Sequence, residues 1–207
     1  MKLLSLVSLT VIFSFLFACT PMPLIQPPLE TIIWTPQSDF GQRIKNSYSN
    51  EFSKVVERFG TEAPALVFTE NGISITYVKE EQPRVYRLQL TLRHDMTYNT
   101  RATHFPQRAA TTLFRSLYPI SKILNDQKGV MAESDIGGII LLMNWKITDF
   151  VNDPYYYHAQ TEGIYVYIKK QDISEFATGK LTIQELGRRA DIYTGLGKIE
   201  IDFSSVI

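Results

Sequence analysis

The chain lacks a second cysteine. Cys19 is the only cysteine among 207 residues, so no disulfide can form within the chain. The sequence after Cys19 is long enough to bury a full hydrophobic core without such crosslinks. The missing cysteines therefore exclude a small disulfide scaffold, and they leave one lone thiol to be explained.

The chain also lacks an excess of either charge. It has 21 Lys and Arg residues against 21 Asp and Glu residues, and no long run of one sign. Proteins that bind nucleic acids carry a basic patch that neutralises phosphates. We therefore expect no nucleic-acid partner.

Groups arranged for catalysis are scarce. The sequence has 3 histidines and no Gly-x-Ser-x-Gly turn that would mark a serine nucleophile. His94, Asp95 and His104 are ligand types that a divalent metal can use, but no regular spacing places them on one face and a third firm ligand is missing. A solvated loop is the preferred interpretation, and we predict no metal site.

Carboxylates and glycines give no clearer sign of an enzyme. Glu80 with Glu81, and Asp149 with Asp153, are interpreted as surface charge, because glycosidase carboxylates must flank a cleft. The Gly-rich segment 194–197 precedes a strand, whereas a dinucleotide loop lies between a strand and a helix. We interpret it as a turn and predict no cofactor and no catalytic residue.

The first eighteen residues have the pattern of an export signal. Met1 and Lys2 form a short positive start, and residues 3–18 are apolar or small and uncharged. This run is shorter than the ~20 apolar residues that span a bilayer comfortably. The pattern therefore favours a cleaved signal peptide over a permanent transmembrane helix.

The end of this signal accounts for the lone thiol. Leu16, Ala18 and Cys19 resemble the lipobox of bacterial lipoproteins. The resemblance implies that the signal is cut before Cys19, whose thiol carries a diacylglyceryl group, and that the new amine is often acylated. In that family Thr20, which is not Asp, favours transfer to the outer membrane. The alternative is an ordinary cleaved signal, with Cys19 near the cut by chance or buried.

Residues 19–36 are rich in proline, which disfavours regular helix and central strand. We interpret them as an extended tether between the lipid and a domain at 37–207. The apolar residues Ile32, Ile33 and Trp34 are interpreted as the end of the tether docking on that domain, in preference to a partner-binding motif.

The first half of the domain predicts a helix and three strands. Apolar residues recur at steps of three and four from Ser38 to Gly60, which predicts an amphipathic helix. Asn71 and Gly72 lie between two short β-prone runs and predict a type I′ hairpin turn. A third strand alternates apolar and polar residues around Leu90, and residues 94–104 have no periodicity.

The second half predicts a second helix from Pro106, which Pro119 should kink or split. The strand that follows, 136–150, is apolar on both faces through Ile140 and Leu142, so we expect it to be central and covered there. A strand near 164–168, a short helix with a capping box at Thr182 and a last strand at 198–203 complete the chain. The expected fold is α+β, with two longer helices and one short helix on one face of a mainly antiparallel sheet.

Tyr155, Tyr156, Tyr157 and His158 form the candidate interaction surface. Three adjacent tyrosines cannot all enter one core from an extended loop, and tyrosine suits interfaces. At least one of them should therefore be exposed, although the alternative that they pack on neighbouring strands is the preferred interpretation.

The expected function is binding: a lipid-anchored envelope protein on the periplasmic side of the outer membrane, an accessory component of an envelope complex. It would engage a protein partner through the sheet face or the loop at 155–158. A small-ligand or glycan binder is the first alternative and an anchored hydrolase the second.

Overall fold

The computed structural model describes residues 25–78 and 85–206. The signal at 1–18, the lipidation site Cys19 and the pair Glu80 and Glu81 lie outside the described residues. Within them, the chain forms an α+β fold with helices on one face of a mainly antiparallel sheet, as the sequence predicts.

Six strands lie side by side in sequence order: β1 Leu66–Val78, β2 Val85–Asn99, β3 Ile136–Thr148, β4 Gln160–Lys169, β5 Asp191–Thr194 and β6 Gly197–Ile199. Neighbouring strands pair antiparallel except β2 and β3, which pair parallel. A parallel pair needs a crossover, and two helices between β2 and β3 provide it. The predicted central position of the strand at 136–150 is confirmed, because β3 lies between β2 and β4.

The helices of the described residues are α1 Leu29–Ile32, α2 Asp39–Glu62, α3 Phe105–Asp126, α4 Lys128–Ala132, α5 Lys170–Ala177 and α6 Ile183–Arg189, followed by a 3-10 turn at Phe203–Ser205. Ser38 caps α2, and the capping box of Thr182 with Glu185 starts α6 as predicted. The chain continues as helix through Gly60 to Glu62.

Pro119 lies inside α3, which runs unbroken past it, so of the predicted kink or split the split is wrong. The irregular position is instead in α2, where Tyr48 has φ −119° and ψ 19°. The Tyr48 hydroxyl donates to a Glu133 carboxylate oxygen at 2.5 Å, and Arg43 also binds Glu133. These contacts fasten the irregular turn to the segment that leads into β3.

The predicted hairpin at Asn71 and Gly72 is wrong. Both flanking runs belong to the single strand β1, and both pair with β2. Between Phe68 and Ile73 the register shifts, and Asn71 alone has a positive φ of 52° among the non-glycine residues of β1. The Asn-Gly pair therefore forms a bulge, because β2 is long enough to pair with both halves of β1.

The core lies between the helices and one face of the sheet. Leu88, Leu90 and Leu92 of β2 and alternate residues of β3 face it, fully buried. Ile32 and Trp34 belong to the same cluster. The backbone N–H of Trp34 donates to the Ile73 carbonyl at 3.1 Å. The predicted docking of the tether end is confirmed, although Leu29–Ile32 is a helical turn and not extended chain.

Candidate functional site

The β3–β4 connection, residues 149–159, is here named the aromatic loop. Tyr155, Tyr156 and Tyr157 are 74%, 49% and 81% exposed, and His158 is exposed beside them. The alternative that these tyrosines pack on neighbouring strands is wrong. Their role as an interaction surface stays a prediction.

A buried carboxylate organises the base of the aromatic loop. The side chain of Asp153 accepts hydrogen bonds from the Thr148 hydroxyl at 3.0 Å, the Tyr157 N–H at 2.8 Å and the His158 N–H at 2.7 Å. Burial opposes its ionisation, but the N–H groups of His158 and Tyr157 and the Thr148 hydroxyl outweigh it and lower the pKa of Asp153. The charged carboxylate thus fixes the turn that presents the tyrosines.

A second carboxylate fastens the loop to the β2–α3 connection. Asp149 accepts from the Val151 N–H at 3.0 Å and from Arg101 Nε at 2.7 Å. Burial opposes the charge, yet Arg101 and the N–H groups of Val151 and Asn152 outweigh it and lower the pKa of Asp149. Asp149 and Asp153 therefore hold the loop together, and neither is positioned as a free acid or base.

The tip of the aromatic loop is apolar and uncharged. Phe150 meets Tyr156 edge to face at 5.4 Å between ring centroids, and the rings of Tyr155 and Tyr157 lie 5.9 Å apart. Tyr156 has a positive φ of 61°, which is uncommon for an aromatic residue. Asp153 at the base is 7% exposed, and Asp149 is paired with Arg101. The loop therefore offers aromatic area to its surroundings without an unpaired exposed carboxylate.

A depression of about 320 Å³ lies beside the base of the loop, lined by residues that include Thr100, Asp149, Asp153 and His158. Both carboxylates are already occupied by the hydrogen bonds that hold the loop. Its two carboxylates are therefore not free to orient a small ligand.

The weak metal candidates occupy different elements. His94 and Asp95 lie within β2 and not in a loop, which corrects the expectation for 94–104; His94 is 4% exposed. His104 caps the start of α3. Over residues 25–78 and 85–206, no group of three or more His, Cys, Asp or Glu side chains could hold a metal ion.

His94 is a buried histidine with local partners. Its Nδ1 accepts from the Met96 N–H at 3.1 Å, and an Asp95 carboxylate oxygen lies 2.9 Å from the same nitrogen. Burial lowers the pKa of His94; Asp95 opposes the shift, and Arg115 adds to it. The uncharged ring is therefore the form that the fold favours.

A network of hydrogen bonds lies at the edge of the core, near the aromatic loop. Arg108 of α3 donates from Nε and Nη2 to the two carboxylate oxygens of Glu162, at 2.8 and 2.6 Å. Trp145 Nε1 also donates to Glu162 at 3.1 Å, and Arg108 donates to the Thr103 carbonyl. Each charged group has its partner, so this arrangement is structural.

The helix-free face of the sheet is the partner surface that the sequence analysis predicted without naming its residues. Cross-strand partners share a face, and Ile140 pairs with Tyr167, Leu142 with Tyr165, and Tyr165 with Tyr193. We name these five residues the tyrosine face. Tyr165 is 50% and Tyr193 41% exposed, and the other three are half-buried.

This finding corrects the expectation that Ile140 and Leu142 are covered. None of the five side chains belongs to the core cluster that the helices share. The signal in the sequence was the alternation of β4, where Tyr165 and Tyr167 interleave with the buried Ile164, Val166 and Ile168.

Arg87 lies at one end of the tyrosine face. Its guanidinium is stacked 3.5 Å from the Tyr167 ring centroid, and the residue is 3% exposed. Gly137 nearby makes room for Val85, because a Cβ there would lie 2.4 Å from Val85 Cγ1. A Cβ at Gly138 would lie 2.2 Å from the Ile168 carbonyl oxygen of β4, so the neighbouring backbone also requires glycine there.

The remaining predicted motif is a turn. Residues 194–197 join β5 to β6, and the side chain of Leu196 is fully exposed at the tip. The last strand is shorter than predicted, and β5 was not predicted.

No protein-family model, curated protein or solved structure matches this chain. Within residues 25–78 and 85–206, no helix is both long and apolar enough to span a bilayer. The case for function is therefore built from the two exposed aromatic surfaces and the N-terminal sequence.

Proposed function

We propose that this chain is a lipid-anchored envelope protein that acts by binding, as an accessory component of an envelope complex. The lipobox-like sequence ending at Cys19 would anchor it to the outer membrane, with the domain facing the periplasm. Two or three acyl chains, at about 0.8 kcal/mol per buried CH₂, suffice for a stable anchor. The lone cysteine is then the anchoring residue.

The observation that carries the binding function is the tyrosine face. Its aromatic and aliphatic side chains lie on three strands and stay partly exposed in the folded chain. Tyrosine is enriched in protein interfaces because it combines a large contact area with a polar hydroxyl. An extended sheet face, unlike a concave pocket, suits a protein partner better than a small ligand.

Site-specific photo-crosslinking in cells tests this proposal. A photoreactive residue replaces Tyr165 on the tyrosine face or, as a matched control, Tyr118 on α3, which is 53% exposed against 50% for Tyr165. We expect one defined protein at Tyr165 and also at Tyr193, but not at Tyr118. Equal capture at all three positions would refute a binding role for the tyrosine face.

A Cys19→Ser variant tests the anchor separately. Mass spectrometry of the mature N-terminus should find an acylated cysteine in the native chain. The variant should lose membrane fractionation and capture fewer partner molecules. An unmodified Cys19 in the native chain would remove the anchoring part of the proposal.

A further inference from the structure

The aromatic loop and the first described residues lie at the same end of the sheet. Cys19 precedes those residues in the sequence. Gln26 lies beside the first residues of β1, where its side-chain amide donates to the Leu66 carbonyl and accepts from the Phe68 N–H, both at 2.9 Å. Ile33 then pairs parallel to Ile73. The described chain therefore begins beside the start of β1 and runs along its edge in the direction of β1.

The register of the sheet shows how far the start of β1, beside Gln26, lies from the aromatic loop. Phe68 pairs with Leu92 and Leu92 pairs with Met143, so the three residues form one row across the sheet. From Met143, β3 runs on to Thr148, five residues or about 17 Å further. The aromatic loop follows, projecting from the end of the sheet at which β1 starts.

The length of chain before the described residues limits how far this end can lie from the lipid. Cys19 is six residues before Ile25, and six residues span at most about 20 Å. That reach is similar to the distance along β3 from the Phe68 row to the loop. An acylated Cys19 and the aromatic loop can therefore meet one membrane surface together.

The loop has the chemistry of a membrane-interface contact. Val151, Tyr155 and Tyr157 are 69%, 74% and 81% exposed, and Phe150 is 37% exposed. Tyrosine is enriched where a bilayer meets water, because its ring is apolar and its hydroxyl remains hydrated. No exposed carboxylate lies among residues 150–158 to oppose contact with the bilayer.

Hydrogen bonds at the base of the loop hold the aromatic side chains in their exposed positions before any contact forms. Asp153 and Asp149 fix the turn through the hydrogen bonds described above, and Arg101 ties it to the neighbouring connection. A preorganised contact loses less conformational freedom on binding than a mobile one. A tethered contact also benefits from a high effective concentration, so it can be weak by itself.

We infer that the aromatic loop inserts its side chains into the lipid–water interface of the membrane that holds Cys19. It acts as a second contact that orients the domain and sets the direction of the tyrosine face. This inference rests on the proposed lipid anchor, and its ligand is the bilayer surface, not a protein.

The test places a polarity-sensitive fluorophore on a cysteine at Tyr155, in full-length protein whose own Cys19 is acylated. The Tyr155→Cys chain is reconstituted on vesicles of phosphatidylethanolamine and phosphatidylglycerol that contain spin-labelled lipid. A Tyr118→Cys chain is the matched control, because Tyr118 is exposed on α3, away from the loop. Circular dichroism of both variants should match the native chain.

We expect a blue shift and strong quenching at Tyr155, and neither at Tyr118. Co-sedimentation with vesicles, measured in the same samples, reports the anchor. If the protein co-sediments but Tyr155 is not quenched, the inference about the loop is wrong and the proposed function stands. If the native acylated chain does not co-sediment, both fail. A photoreactive residue at Tyr155 that captures a protein instead of lipid in cells would also overturn the inference.

Discussion

The two faces of one sheet differ in what covers them. Leu141 faces the helices and is 0% exposed, whereas its neighbour Leu142 points to the tyrosine face and is half-buried. The same alternation continues into β4, where Val166 is buried and Tyr165 is half exposed. Both faces carry apolar side chains, yet only one contributes to the core.

This difference separates folding from binding. We call the sheet face that packs against the helices the covered face. Its residues form one core cluster with the helices, so the core does not need the opposite face. The apolar side chains of the tyrosine face contribute little to that cluster. Exposed apolar patches on soluble domains commonly mark interaction sites, so the comparison between the faces predicts which substitutions affect stability and which affect binding.

The largest expected effect is on the covered face. Leu141→Ala should lower the free energy of unfolding by about 2–5 kcal/mol, because it leaves a cavity in a fully buried site. Leu142→Ala is the matched control and should cost less, because its side chain is only partly buried. Urea denaturation followed by tryptophan fluorescence measures both. Equal costs would mean that the tyrosine face is covered within the folded chain.

The rim of the covered face should be nearly as sensitive. Glu162→Gln keeps the size of the side chain but leaves the guanidinium of Arg108, 6% exposed, opposite a neutral partner. We expect a loss of about 3 kcal/mol in unfolding free energy, since removing one partner of a buried ion pair leaves a buried charge. Glu175→Gln, which alters the exposed pair with Arg189, is the control and should change little.

His94 should make the stability of the covered face depend on pH. Burial holds its pKa below that of an unfolded histidine, which is about 6.5. Above that pH both states are neutral and the stability is complete. As pH falls below about 6.5 the unfolded state binds the proton first, so stability decreases down to the folded pKa.

The His94→Asn variant tests whether His94 causes this pH dependence. Asparagine keeps an acceptor for the Met96 N–H but has no side chain that titrates in this pH range. Urea midpoints measured from pH 7.5 down to about 5 should flatten in the variant relative to the native chain. A native chain with no loss of stability over this interval would contradict the assigned direction.

The smallest effect on stability belongs to the tyrosine face. Tyr165→Thr replaces one strand-favouring residue with another and should change the unfolding free energy by no more than about 0.5 kcal/mol. It should nevertheless weaken partner capture, whereas Tyr118→Thr on α3 should not. Loss of stability without loss of capture would reverse the roles given to the two faces.

Several elements could be predicted because their signals are local. The period of apolar residues identified α2 and α3, and strict alternation identified β2 and β4. The capping box at Thr182 placed the start of α6 correctly. That at least one tyrosine of the aromatic loop is exposed followed from the run itself, since three adjacent side chains of an extended loop cannot all enter one core; the exposure of all three did not follow.

Other predictions were wrong because pairing overrides local preference. Asn71 and Gly72 favour a turn, but β2 pairs with the chain on both sides of them and converts the turn into a bulge. Residues 94–99 look like a loop, yet they continue β2 because His94 and Tyr98 are buried beneath α3. Long-range partners of this kind are not written in a local pattern.

The sequence by itself determined the α+β class, the elements with strong periodicity and the exposure of at least one loop tyrosine, because each follows from spacing along the chain. The tertiary structure alone decided that Ile140 and Leu142 are only partly covered, and that the aromatic loop projects from the end where the described chain begins. Both depend on strand order and register. Those are set by how β1 to β5 pair across the sheet, which brings together residues far apart in sequence.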